Sequence, residues 1–163
     1  MSKVRIRSDE DWRDNGHRLL LNLFDKMSEL QKNVVGYPGN LKELHLMRLA
    51  GKPLRYTGEI FEPVFGKKFQ ICFNEIRDFI ELMGIIHDRD VQIPLLKAHL
   101  ENLQYFNRSV SQSNRISVVS LQACLQRREQ ERKDLFSKLS AILEKWKKEK
   151  FKKKLGLAME GED

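Results

Sequence analysis

"RDFIELMGIIHDRDVQI", residues 77–93, changes its hydrophobic period half-way along. Its first half carries apolar residues at the spacing of three and four that is typical of a helix. In its second half, "GII" and "VQI" flank the polar letters "HDRD" and alternate as strands do. The pattern therefore predicts that a helix ends at Gly84 and that a small β-hairpin follows over residues 84–93. The helical positions are Phe79, Ile80 and Met83.

Most of the remaining chain has helical periodicity. Apolar residues recur at spacings of three and four over residues 9–35, with a polar side opposite them. The sequence thus predicts a mostly α fold in three parts. These are a helical domain over residues 1–115, a long basic C-terminal helix over residues 116–155, and a flexible acidic tail over residues 156–163.

The charge balance favours a polyanionic partner. The chain has 30 Lys and Arg against 23 Asp and Glu, a formal net charge of +7. The surplus is densest in "EKWKKEKFKKK", residues 144–154. Two accounts of this segment stay open: a contact to a polyanion, with nucleic acid ahead of a membrane surface, or a solvated helix end. Its lysines are Lys145, Lys147, Lys148, Lys150, Lys152, Lys153 and Lys154.

Motifs of catalysis and of metal binding are absent from the sequence. Its four histidines lie apart without a second ligand at metal spacing, and no P-loop, GxSxG or GxGxxG occurs. Cys72 and Cys124 share no CxxC spacing, so we expect buried free thiols of a reducing compartment. No apolar run approaches the roughly 18 residues that span a bilayer. We therefore expect an intracellular, non-enzymatic binding protein with no metal and no cofactor.

Residues 41–93 offer the parts of a winged helix-turn-helix in the required order. The segment "LKELHLMRLAG" would be the supporting helix, and "YTGEIFEPVFG" the first helix of the motif with its turn at Gly66. "KKFQICFNEIRDFIELMG" would be the recognition helix and "GIIHDRDVQI" the wing. The alternative is that residues 69–83 form a core-facing helix whose polar side is solvated.

This pattern resembles the winged-helix transcription regulators of the MarR and PadR type. Pro63 departs from it, since the corresponding helix normally has a small residue and no proline near its centre. The resemblance implies a dimeric DNA-binding regulator. The matching residues are Glu59, Ile60, Gly66, Ile80, Gly84, Ile85, Ile86, Asp88, Arg89 and Asp90.

On this interpretation the polar side of the recognition helix contacts DNA. Its lysine and arginine side chains would meet phosphates or guanine edges, and its Gln and Asn could pair with adenine. An arginine at the wing tip would enter the minor groove or hold a phosphate. The residues assigned to these contacts are Lys67, Lys68, Gln70, Asn74, Arg77 and Arg89.

The sequence therefore predicts a nucleic-acid-binding protein, with DNA favoured over RNA. We also expect a homo-oligomer, because the apolar seams over residues 9–35 and 116–146 are longer than one small domain needs. The alternative function is a helical adaptor that docks on a protein partner through its amphipathic helices, with the lysine segment serving solubility or an acidic partner surface.

Overall fold

All regular secondary structure is helical in the part that the computed structural model describes, residues 6–161, and that part contains no β-strand. The prediction of a mostly α fold is thereby confirmed. Residues 1–5, the start of the predicted domain, and residues 162–163, the end of the predicted tail, lie outside the described residues. The helices are α1 (Trp12–Ser28), α2 (Gln31–Val34), α3 (Leu41–Phe61), α4 (Lys67–Ser109), α5 (Val119–Lys148) and α6 (Phe151–Glu160), with 3-10 turns at Glu62–Val64 and Gln112–Asn114.

Helix α4 runs without interruption through residues 84–93, so the predicted β-hairpin is wrong. Gly84 lowers helix propensity by about 1 kcal/mol, which a 43-residue helix with a packed face tolerates. Pro94 also lies inside the helix. Phe79, Met83 and Ile86 are all fully buried at helical spacing, so the letters "GII" continue the apolar face. Packing thus overrides the local signal for a turn.

The chain divides into two compact units. Among the described residues, unit 1 comprises 6–84 and 139–161, and unit 2 comprises 85–138. Each of the two longest helices, α4 and α5, contributes residues to both units. None of the helices within residues 6–161 is both long and apolar enough to cross a membrane.

In unit 1, α1 packs against α3 and α6, and α3 lies close against the first part of α4. Two buried glycines of α3 permit this approach. A Cβ on Gly58 would overlap the Phe73 ring, and a Cβ on Gly51 would meet Ile80 at 3.0 Å. The core contains an aromatic cluster that joins four helices: Phe24 of α1, Phe79 of α4, Trp146 of α5 and Phe151 of α6.

Unit 2 is a hairpin of the second part of α4 and the first part of α5. Ion pairs join its helices: Arg132 Nε lies 2.9 Å from an Asp90 carboxylate oxygen, and Lys97 Nζ lies 2.7 Å from a Glu129 oxygen. Its buried hydrophobic residues are few among those described, Ile86 and Phe136. The other apolar side chains of this hairpin are half-buried or exposed.

Candidate anion-binding surface

Lys150 turns the chain between α5 and α6. Its backbone has φ +51° and ψ +50°, the left-handed region, which residues with a Cβ adopt at a cost of about 1–2 kcal/mol. The Lys150 amide donates to the Lys147 carbonyl at 3.3 Å, and the Lys153 amide donates to the Lys150 carbonyl at 2.8 Å. These bonds place Lys147, Lys150 and Lys153 on consecutive turns of the backbone.

The aromatic residues of the lysine-rich segment point inward. Trp146 and Phe151 are buried, and their rings stack with centroids 4.5 Å apart. Beyond them α6 buries Leu155 and Met159, so residues 156–160, predicted as part of a flexible tail, form the last turns of this helix. The segment therefore has a packed inner side, and its lysines are left on the outside.

Three of the seven lysines are held by carboxylates. Glu75 of α4 accepts from Lys145 Nζ at 3.0 Å and from Lys154 Nζ at 2.9 Å, and Asp25 of α1 accepts from Lys152 Nζ at 2.7 Å. The other four are exposed and form no ion pair with any residue of the range 6–161. We call these four the lysine corner: Lys147, Lys148, Lys150 and Lys153.

The ion pairs at Glu75 shift the pKa values of their members. Burial raises the pKa of Glu75, but hydrogen bonds from Lys154 and Lys145 outweigh it, so this pKa lies below its ordinary value. The hydrogen bond to Glu75 raises the pKa of Lys154. Both groups are therefore charged at neutral pH.

A groove of about 500 Å³ opens beside the lysine corner, between α4 and α6. It is lined by apolar side chains, by lysines and by one glutamate, Glu149. Burial raises the pKa of the free thiol of Cys72, one of its lining residues, which keeps that sulfur protonated. The residues that line this α4–α6 groove are Lys68, Ile71, Cys72, Glu149, Lys150, Lys153, Lys154, Leu157 and Ala158. Within residues 6–161, no group of three or more His, Cys, Asp or Glu side chains could hold a metal ion.

The residues that were assigned to a recognition helix have different surroundings. Lys67, Lys68, Gln70 and Asn74 are exposed at the start of α4. Lys68 borders the α4–α6 groove, whereas Lys67 and Gln70 border a second depression of about 460 Å³.

Two arginines of the predicted DNA contact are engaged by other side chains. Arg77 lies 2.9 Å from a Glu62 oxygen and 4.9 Å above the Phe73 ring. Arg89, expected at a wing tip, lies within unit 2 and pairs with Glu131 at 2.9 Å. Each arginine thus has a structural role in its own unit.

Sequence reasoning missed Glu75, the residue that holds two of the lysines. Its partners are 70 and 79 positions away along the chain, so no local pattern reveals the pairs. It also missed the break at Lys150, for which the sequence did contain a signal. Trp146 and Phe151 are five positions apart, and in one continuous helix they would differ by about 140° around the axis. Two large aromatic residues at that spacing lie on the same side of the chain only if the helix breaks between them.

Comparison with known proteins corrects the family predicted from the sequence. Neither the curated proteins nor the solved structures contain a match to this chain. The family model of the CHAD domain matches residues 16–97, a range that includes the segment at 41–93 likened to MarR and PadR regulators. That resemblance is wrong, and so is the DNA-binding regulator inferred from it. Because the match extends over about half of the 163 residues, the chain belongs to the CHAD domain family.

Proposed function

We propose that this chain is a non-enzymatic adaptor domain that binds inorganic polyphosphate on its lysine corner. CHAD domains are typically associated with the binding of polyphosphate and with triphosphate tunnel metalloenzyme partners. The family match ends at residue 97, so support for this particular surface comes from its geometry and charge.

The observation that carries the proposal is the exposure of four ammonium groups without a carboxylate partner among residues 6–161. Three neighbouring lysines, by contrast, form ion pairs with the nearby carboxylates of Glu75 and Asp25. At the lysine corner the counter-charge has to come from solvent ions or from a ligand. A polyphosphate chain would release those ions on binding, which gives affinity that falls with salt. Lysines suit this ligand because each is a flexible point charge that needs no fixed geometry.

The test compares two variants that lose the same charge. One replaces the lysine corner by glutamine, K147Q/K148Q/K150Q/K153Q. The matched control replaces four exposed lysines that have no ion pair with any residue of the range 6–161: K32Q/K42Q/K133Q/K138Q. Binding of long-chain polyphosphate is followed by fluorescence anisotropy across a salt series, with duplex DNA as comparator.

We expect the corner variant to bind polyphosphate about tenfold more weakly and with a flatter salt dependence, and the control to stay within about twofold of the wild type. Equal weakening of both variants would mean that the ligand responds only to net charge, and would overturn the site. After incubation with the protein, polyphosphate should keep its original chain length, as expected for a non-enzymatic domain. Shortened chains would contradict the proposal that the domain is non-enzymatic.

We also propose that the chain forms a homo-oligomer through unit 2. Helix α4 leaves Val91, Leu95 and Tyr105 at least 49% exposed, and these positions recur on one side of the helix. Light scattering should give a mass above that of one chain, and Leu95→Glu should reduce it. A monomer mass for the wild type at tens of micromolar would rule this out.

A further inference from the structure

The α4–α6 groove has exposed apolar side chains, which polyphosphate does not bind. Ile71 of α4 and Leu157 of α6 line it and expose 63% and 56% of their surface; we call these two apolar residues its floor. A phosphate chain has no apolar part to cover such side chains. Exposed apolar surface that is surrounded by charged side chains is typical of a binding site for a partner that has both apolar and charged groups.

From this geometry we infer that the groove binds an acidic amphipathic helix of a protein partner, an interaction beyond the proposed binding of polyphosphate. Four lysines border the groove: Lys68, Lys150, Lys153 and Lys154. Glu75 already pairs with Lys154, so the other three stand against one glutamate, and the charge of the groove complements an acidic ligand.

The length of the groove matches a short helix. Its α6 lining runs from Lys153 to Ala158, a distance of about 7.5 Å at the helical rise of 1.5 Å per residue. The occupant therefore contacts it over roughly one to two turns. Apolar residues spaced by three and four would cover Ile71 and Leu157, and carboxylates on the flanks would meet the lysines.

The probe is a 14-residue helix-forming peptide with Leu on one face and Glu on the others, labelled for fluorescence anisotropy. An isomer of the same composition, with its Leu and Glu positions shuffled, controls for charge alone. The floor variant of the protein is I71S/L157S. A matched control, L49S/I60S, replaces two similarly exposed apolar residues of α3.

We expect the patterned peptide to bind the wild type at least about tenfold more tightly than its isomer, and the floor variant to lose that preference. The control variant should keep it. Polyphosphate binding should be unchanged in the floor variant, so a failure of this inference can be told from a failure of the proposed function. Equal binding of the two peptides would overturn the inference. So would recruitment to phosphatidylserine vesicles that depends on Ile71 and Leu157 without any peptide preference, since the groove would then serve a membrane.

Discussion

Trp146 and Phe151 stack on each other on the inner side of the chain, with 16° between their ring planes, although five positions separate them. Lys150 makes this contact possible, because its left-handed backbone ends one helix and starts the next. The same turn leaves the intervening lysines on the outer side. A packed aromatic pair and an exposed cluster of like charges thus depend on one backbone conformation.

The aromatic pair should be a large contributor to stability. Phe151 is 1% exposed, so Phe151→Ala should lower the free energy of unfolding by about 3–5 kcal/mol in urea denaturation. Leu157→Ala on the same helix is the control, because that side chain is mostly exposed and its loss should cost within about 0.5 kcal/mol. Similar effects from the two variants would show that α6 does not pack as described.

The left-handed turn can be tested with two substitutions that remove the same charge. Glycine adopts this conformation without steric cost, so Lys150→Gly should leave the chain at least as stable as the wild type. Lys150→Val should be less stable than Lys150→Gly by at least about 1–2 kcal/mol, since a β-branched side chain is poorly accommodated there. Thermal unfolding of both proteins measures the difference. Equal stabilities would mean that this position is not left-handed.

The sequence predicts the helices well because their apolar spacing is regular over many turns. It predicts the hairpin at 84–93 wrongly because a glycine and a change of period look locally like a helix end. Helix α4 continues there because Met83 and Ile86 are both buried on one face of it. A short stretch of sequence does not reveal this tertiary packing.

The candidate surface was predictable only in part. A dense run of lysines indicates a polyanion contact, and the four lysines of the corner do lie exposed. Which lysines are neutralised depends on Glu75 and Asp25, which come from distant helices. The family could not be inferred from the pattern, because a helix, a glycine and a polar turn occur in many helical proteins.

Two glycine substitutions test the continuity of α4 and its packing on α3. Gly84 has open space where a Cβ would lie, so Gly84→Ala should stabilise the protein by about 0.5–1 kcal/mol through helix propensity. Gly58→Ala gives the same gain in helix propensity, but its Cβ overlaps the Phe73 ring. The net effect should be to lower the free energy of unfolding by about 1–3 kcal/mol. Chemical denaturation of both variants gives the two values. Loss of stability in Gly84→Ala would contradict a continuous helix.

Glu75 should contribute stability that depends on pH. Its pKa is lowered in the fold, so this contribution is present above the ordinary value of 4.5 and is lost as pH falls through the lowered pKa. Glu75→Gln should therefore cost about 0.5–1 kcal/mol at pH 7 and progressively less below about pH 4.5. Unfolding of both proteins across pH measures this. A cost that does not change with pH would mean that the ion pairs to Lys145 and Lys154 contribute nothing.

The most direct test of polyphosphate binding at the lysine corner is a map of backbone amide chemical shifts during titration with polyphosphate. The chain is labelled with ¹⁵N, and the control is the same titration with K147Q/K148Q/K150Q/K153Q. We predict that the largest shifts cluster at residues 147–153 and that they disappear in the variant. Shifts centred on another surface, or no shifts at concentrations that saturate binding, would contradict the account.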